Sequence, residues 1–99
     1  MRIDDALLQT IPPLYAQERK GENAIVHLHI HSHVSGWHWY ATEYSPEEQI
    51  FFGYVTGFEN EYGYFSRKEL EDLPPGYVSL DLDFKPTRLK DLLAKISAS

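Results

Sequence analysis

Cysteine is absent from the 99 residues. That excludes disulfides, thiolate nucleophiles and every zinc site built on cysteine, and leaves His, Asp and Glu as the only side chains able to hold a metal. Long apolar runs are also missing: nothing approaches the roughly 18 residues that cross a bilayer, so no membrane association is expected. The opening MRIDDALLQT reaches Asp4 and Asp5 almost at once and lacks the apolar segment of a secretory signal, which makes the cytoplasm the expected compartment. Positive charge is scarce, with 9 Lys and Arg against 15 Asp and Glu and a net charge of −6. A surface of that sign repels phosphate backbones unless basic residues cluster. Here they are scattered from Arg2 to Lys95, so direct nucleic-acid binding is not expected. No serine sits in a G-x-S-x-G elbow, and neither a G-x-x-x-x-G-K-[ST] loop nor a G-x-G-x-x-G fingerprint occurs. A triad assembled in space stays open, but an enzyme is the less expected class.

What is present suits one small core, a single domain over 1–99. Residues 3–11 carry Ile3, Leu7, Leu8 and Ile11 at helical spacing before Pro12-Pro13 stops the pattern, predicting a short N-terminal helix. Over 24–34 the period changes to two. Ala24, Val26, Leu28, Ile30 and Val34 fall on one face of a strand, and His27, His29, His31 and His33 on the other. Ser35-Gly36 reads as a tight turn into a second strand, WHWYATEY. SPEEQ turns into a third, IFFGYVTGF, and Tyr62–Phe65 form a fourth. Ser66 and Glu69 make a capping box for a short helix over 66–73. GYVSLDLDF alternates as a fifth strand, with Val78, Leu80, Leu82 and Phe84 on one side. Thr87 caps a C-terminal helix with the stripe Leu89, Leu92, Leu93 and Ile96. The fold class is therefore α+β: an antiparallel meander of about five strands with three helices.

The histidines are the sharpest chemical feature. Alternate residues of a strand point the same way about 6.5–7 Å apart, a spacing at which two imidazoles can share one metal ion. His27, His29, His31, His33 and His38 are thus the candidate ligands for zinc, with His38 or Glu43 supplying a third donor from the neighbouring strand. The plainer reading is a polar strand face turned to solvent or a partner. A third use is protonation, since histidine titrates near pH 6.5 and charged neighbours repel. A strand over 24–34 that precedes the hairpin is expected at the sheet edge, available to a second copy or another protein, with association weakening toward about pH 5 as the imidazoles charge.

Twelve Tyr and Phe residues, seven and five, join two Trp in this short chain. Many crowd the middle strands, more than one buried sheet face needs. Trp37, Tyr40, Tyr44 and Tyr62, rimmed by Glu43, Glu47, Glu59 and Glu61, form the candidate surface for a protein partner.

The central block, with WYATEY at 39–44, FFGYV at 51–55, GYFS at 63–66 and EL at 69–70, preceded by PPLYA at 12–16, resembles family 2958 among the domains of unknown function. Those proteins are carried on plasmids, phages and integrative elements. The histidine ladder is not among the matching pieces. The resemblance implies a small accessory protein of mobile DNA and no particular reaction. Combined with the acidic balance, it leads to the expectation of a non-enzymatic protein-binding module that inhibits a host defence or nucleic-acid enzyme, in the manner of anti-restriction or anti-CRISPR proteins. The alternative is a histidine-ladder metal-binding protein or small metal-dependent enzyme.

Overall fold

The computed structural model describes residues 1–98. The first helix, α1 (Asp5–Leu8), is capped by Asp4, whose Oδ1 accepts the Ala6 N–H at 2.9 Å. It is shorter than the pattern over 3–11 predicts. Pro12 has no N–H to offer the Leu8 carbonyl, and Ile11, held away from helical geometry by the proline after it, bonds Leu8 three residues back. Ile3, Leu8 and Ile11 are buried all the same.

A short 3-10 segment, Glu18–Asn23, leads into β1 (Ile25–Val26) and β2 (Leu28–Ser32). The meander continues through β3 (His38–Ser45), β4 (Ile50–Thr56) and β5 (Asn60–Ser66). Next come α2 (Arg67–Glu71), β6 (Val78–Leu80), β7 (Thr87–Arg88) and α3 (Leu89–Ala98). The main sheet is antiparallel in the order β5-β4-β3-β2-β6, and β1 pairs with β7 in a separate two-stranded sheet. The α+β class, the five-stranded sheet and the three helices are as the sequence predicts. Among the described residues no helix is long and apolar enough to cross a membrane.

The ladder strand departs from expectation in two ways. First, β2 is not an edge: β3 lies on one side and β6 on the other. A strand paired on both sides has no free ladder to offer, so the dimer expected along it loses its geometry. The outer strands are β5 and β6. Second, the alternation breaks at His27. Val26 packs with Tyr40 and Leu89, whereas Leu28 and Ile30 pack with Ala41, Phe51 and Val78 in a different cluster. The segment 24–34 is therefore two short strands serving two cores, and Val34 ends up exposed.

Two later boundaries also move. The strand predicted through Phe84 stops after Leu80, because the Asp81 side chain accepts the Asp83 N–H at 3.2 Å and turns the chain. Leu82 is consequently 80% exposed. Thr87 does not cap a helix: it lies in β7 opposite Val26, and its hydroxyl donates to the Lys85 carbonyl at 2.7 Å. The tight turn at Ser35-Gly36 is a longer loop, closed by Ser32 N–H to Trp37 carbonyl at 2.8 Å with Gly36 at φ +76°. By contrast, the Ser66 cap forms as its spacing predicts, accepting Glu69 N–H at 3.2 Å.

Directly paired residues share a sheet face. One face carries Leu28, Ile30, Ala41, Tyr44, Phe51 and Phe65 and is covered by residues of the N-terminal segment and of α2. On the other, Tyr40 meets Val26 of β1 and the stripe of α3. Burial of a ring such as Phe51, fully enclosed in the first cluster, stabilises by about 1.5–3 kcal/mol.

The register shifts in β3 between Ala41 and Glu43 while β4 runs on from Gly53 to Phe52. Thr42 is thus an extra residue, a β-bulge. Without it Glu43 would share the core face of Ala41; with it, Glu43 lies opposite Phe52 on the face of Tyr40. Gly53 permits the bulge. A Cβ there would stand 1.9 Å from the Tyr40 carbonyl oxygen, so only glycine lets the two backbones approach.

Candidate binding site

The bulge brings a carboxylate under a loop. Glu43 is only 3% exposed, and its oxygens accept the backbone N–H groups of Tyr15 at 2.9 Å and Gln17 at 2.7 Å. A buried carboxylate needs such donors, because an unpaired one would lose several kcal/mol of hydration. Tyr15 is held at φ +73°, a left-handed conformation that costs a non-glycine residue on the order of 1–3 kcal/mol. Gln17, also buried, completes the tie. Its amide donates to the carbonyls of Ile25 at 3.0 Å and Thr42 at 2.7 Å and accepts the Ile25 N–H at 2.6 Å. The side chain thus bridges β1 and β3 where the bulge interrupts the ladder.

Between this loop and β3–β5 lies a cavity of about 380 Å³. That is within the range of small-ligand pockets. Phe52 and Tyr64 meet edge to face with centroids 5.0 Å apart, and Tyr62 meets Tyr54 likewise at 5.4 Å. Tyr15 faces Tyr64. Desolvation, the Tyr15 hydroxyl, and the Glu43 and Glu18 carboxylates raise the Tyr64 hydroxyl above the usual tyrosine range. Partial burial, with Glu22 and Tyr54 nearby, does the same for Tyr62. Glu18 and Glu43 line the same cavity as both rings.

At the other end of the same sheet face the histidines gather. His29 Nδ1 lies 2.9 Å from Asp81 Oδ2, and His29 Nε2 lies 2.8 Å from His38 Nδ1. With Asp81 ionised, Nδ1 of His29 carries a proton and donates. In the neutral ring Nε2 then accepts from His38 Nδ1–H, which leaves Nε2 of His38 as the outer base of the chain. The His29 bond holds Asp81 below the usual carboxylate range. Burial, then the neighbouring imidazoles, lowers His38, and His31 is lowered by burial, His29 and His33 against a smaller upward pull from Asp81. His31 lies 5.6 Å from His29 and 4.8 Å from His33, centroid to centroid, and His33 bonds the Ser79 hydroxyl. Tyr40 stacks on His29 at 4.7 Å, and burial followed by Asp81 raises its hydroxyl.

Of the five predicted metal ligands, His29, His31, His33 and His38 come together, while His27 sits beside Leu28, Leu80 and the residues of α1. Among the described residues no three His, Asp or Glu side chains form a group that could hold a metal ion. Both nitrogens of His29 are engaged by protein groups, and Glu43, the other proposed third donor, is bonded under the 15–17 loop at the opposite end.

The predicted partner surface divides in the same way. Tyr40, Glu43 and Tyr44 are buried, so they form no exposed partner surface; Tyr44 belongs to the core, its hydroxyl accepting from Arg67 at 3.3 Å. Trp37 packs on Gly57 and meets Phe58 edge to face at 5.6 Å. Glu47, Glu59, Glu61 and Tyr62 are exposed. Sequence reasoning did not assign Tyr15, Gln17, Glu18, Phe52 and Tyr64 to a site, nor Asp81. For Asp81 the signal was present, since alternation puts it with Ser79 on one side of its strand, but nothing local says that this strand lies beside the histidines. No protein-family model, no curated protein and no solved structure matches this chain.

Proposed function

We propose that the chain is a non-enzymatic protein-binding module whose partner supplies an extended basic segment that adds to the sheet alongside β5. The observation that carries this reading is the state of that strand. It pairs with β4 on one side only, and most of its residues are exposed, Tyr64 by 59%. An edge strand offers backbone donors and acceptors to an added strand, and side chains on alternate positions set specificity. Charge selects the partner: Glu59 immediately precedes the strand and Glu61 is its second residue, in a chain of net −6. The nucleic-acid grooves of enzymes that act on DNA or RNA are basic, since they must neutralise phosphates. An inhibitor of a host nucleic-acid enzyme, carried by a mobile element as the family resemblance implies, is therefore the form of this reading that charge favours.

Selection of random peptides on the intact protein tests it. Enriched peptides should alternate Lys or Arg with apolar residues, shift the backbone amides of residues 60–66, and bind at least about tenfold more weakly to the Glu59→Lys, Glu61→Lys double variant. Acidic or neutral binders, or shifts that spare β5, would sink the reading.

A further inference from the structure

The cavity under the 15–17 loop has a chemistry of its own. Four aromatic rings, those of Tyr15, Phe52, Tyr62 and Tyr64, line it together with the Glu18 and Glu43 carboxylates. Among the described residues that line the cavity, none carries a positive charge. Aromatic faces attract cations through their quadrupole, and the attraction grows as the cation loses water. An ionised carboxylate has about four lone-pair sites, and Glu43 gives two hydrogen bonds' worth to the backbone. Acceptor capacity remains for a bound donor.

From these groups we infer that the cavity is an aromatic cage for one arginine side chain. The guanidinium is planar and weakly hydrated, so it can stack on a ring face while its fork of N–H donors reaches a carboxylate. A quaternary ammonium would use the rings and leave the carboxylates unbonded. A lysine ammonium would use the carboxylates, but it holds its water more tightly. The cage is also assembled before any ligand arrives. Glu43 and Gln17 fix the loop that carries Tyr15, and β-sheet pairing fixes Phe52 opposite Tyr64. Phe52 and Tyr64 belong to β4 and β5, so an arginine in the cage is within one strand's width of the edge proposed above. The assignment rests on that reading for its source, an arginine on the docking segment, but the cage can be tested without it.

The experiment is a titration of the intact protein with N-acetyl-arginine amide, followed by the ring resonances of Phe52, Tyr62 and Tyr64. The neutral isostere N-acetyl-citrulline amide and the lysine and trimethyllysine amides serve as parallel probes. Saturable ring shifts are expected for arginine with a Kd of about 1 mM, weaker binding for both lysine forms, and none for citrulline. Tyr64→Ala and Glu18→Gln alter exposed positions and should each weaken arginine binding several-fold with an unchanged circular dichroism spectrum. Equal binding of citrulline, tighter binding of a lysine form, shifts confined to other residues, or no saturable shift up to tens of millimolar would each overturn the assignment. The two readings fail separately. If arginine fills the cage while selected peptides leave β5 untouched, the edge reading is wrong. If peptides pair along β5 equally well with arginine or citrulline, the cage is wrong.

Discussion

The histidine corner and the aromatic cavity occupy opposite ends of one sheet face, and Tyr40 is near the midpoint, stacked on His29 and paired with Tyr54. Both combine aromatic rings with carboxylates. They differ in where their polar groups point. In the corner, Asp81, His29 and His38 bond one another in series, and His33 turns to Ser79. At the cavity, Glu43 bonds only backbone, and the rings of Tyr62 and Tyr64 stay open to solvent. A polar cluster satisfied from within stabilises a fold, whereas one whose groups converge on empty space is available to a ligand.

Gly53→Ala should have the largest effect, because it attacks both ends at once. Its methyl would meet the Tyr40 carbonyl at 1.9 Å, so either the bulge straightens or β3 and β4 separate. Thermal or denaturant unfolding should show a loss of about 3 kcal/mol, and arginine should no longer bind. A variant as stable as the parent would mean that the bulge does not need the close approach.

Glu43→Leu comes next and touches the cavity alone. It strands the N–H groups of Tyr15 and Gln17, for an expected loss of about 2–3 kcal/mol in denaturant unfolding. Glu43→Gln keeps an acceptor and should recover part of that. Ring resonances of His29 and His38 should be unmoved in both, since the two ends share no polar contact.

Acidification separates the regions in the opposite sense. His31, His38 and, beside α1, His27 have folded pKa values lowered chiefly by burial. Below the unfolded value near 6.5 the unfolded chain then binds more protons than the folded one. Stability is therefore full above about pH 6.5 and falls as pH drops through the lowered folded values. Asp81, also lowered, adds a second loss beginning below its unfolded value near 3.8. Unfolding midpoints between pH 7.5 and 5 should decline, and His31→Phe with His38→Phe should flatten the slope. A midpoint independent of pH, or one that rises in acid, would contradict this account.

The smallest effect on stability is expected for Tyr64→Ala, within about 0.5 kcal/mol for so exposed a side chain. Its consequence belongs to binding. A large loss of stability would show that this ring supports the fold instead of the cavity.

How much of this was legible varies by element. Ser66 with Glu69, and the stripe Leu89, Leu92, Leu93 and Ile96, are local signals, and both elements form as read. The end of α1 was misplaced because periodicity runs on to Ile11 while Pro12 and Pro13 remove the hydrogen bonds that would carry the helix there. Thr87 looked like a cap because a β-branched hydroxyl before a helix suits a cap and a strand equally. What decided between them was Val26, sixty-one positions earlier, on the pairing strand.

The alternation of His29 and His31 with Leu28 and Ile30 is a property of the chain. A pleated strand sends neighbours to opposite faces whatever surrounds it, so sequence alone determined that these imidazoles lie together. Sequence also determined which residue types could serve a metal, the sign of the surface, and the run of rings on β4 and β5. It did not determine what the imidazoles would meet. That depended on β6 docking beside β2, which brings Asp81 to His29 and turns an expected sheet edge into its interior. Nor did it show that Thr42 would be the extra residue of a bulge, moving Glu43 from the core face to the floor of a cavity. Pairing partner and register are set by side chains distant along the chain competing for the same two faces, and only the folded structure settles that competition.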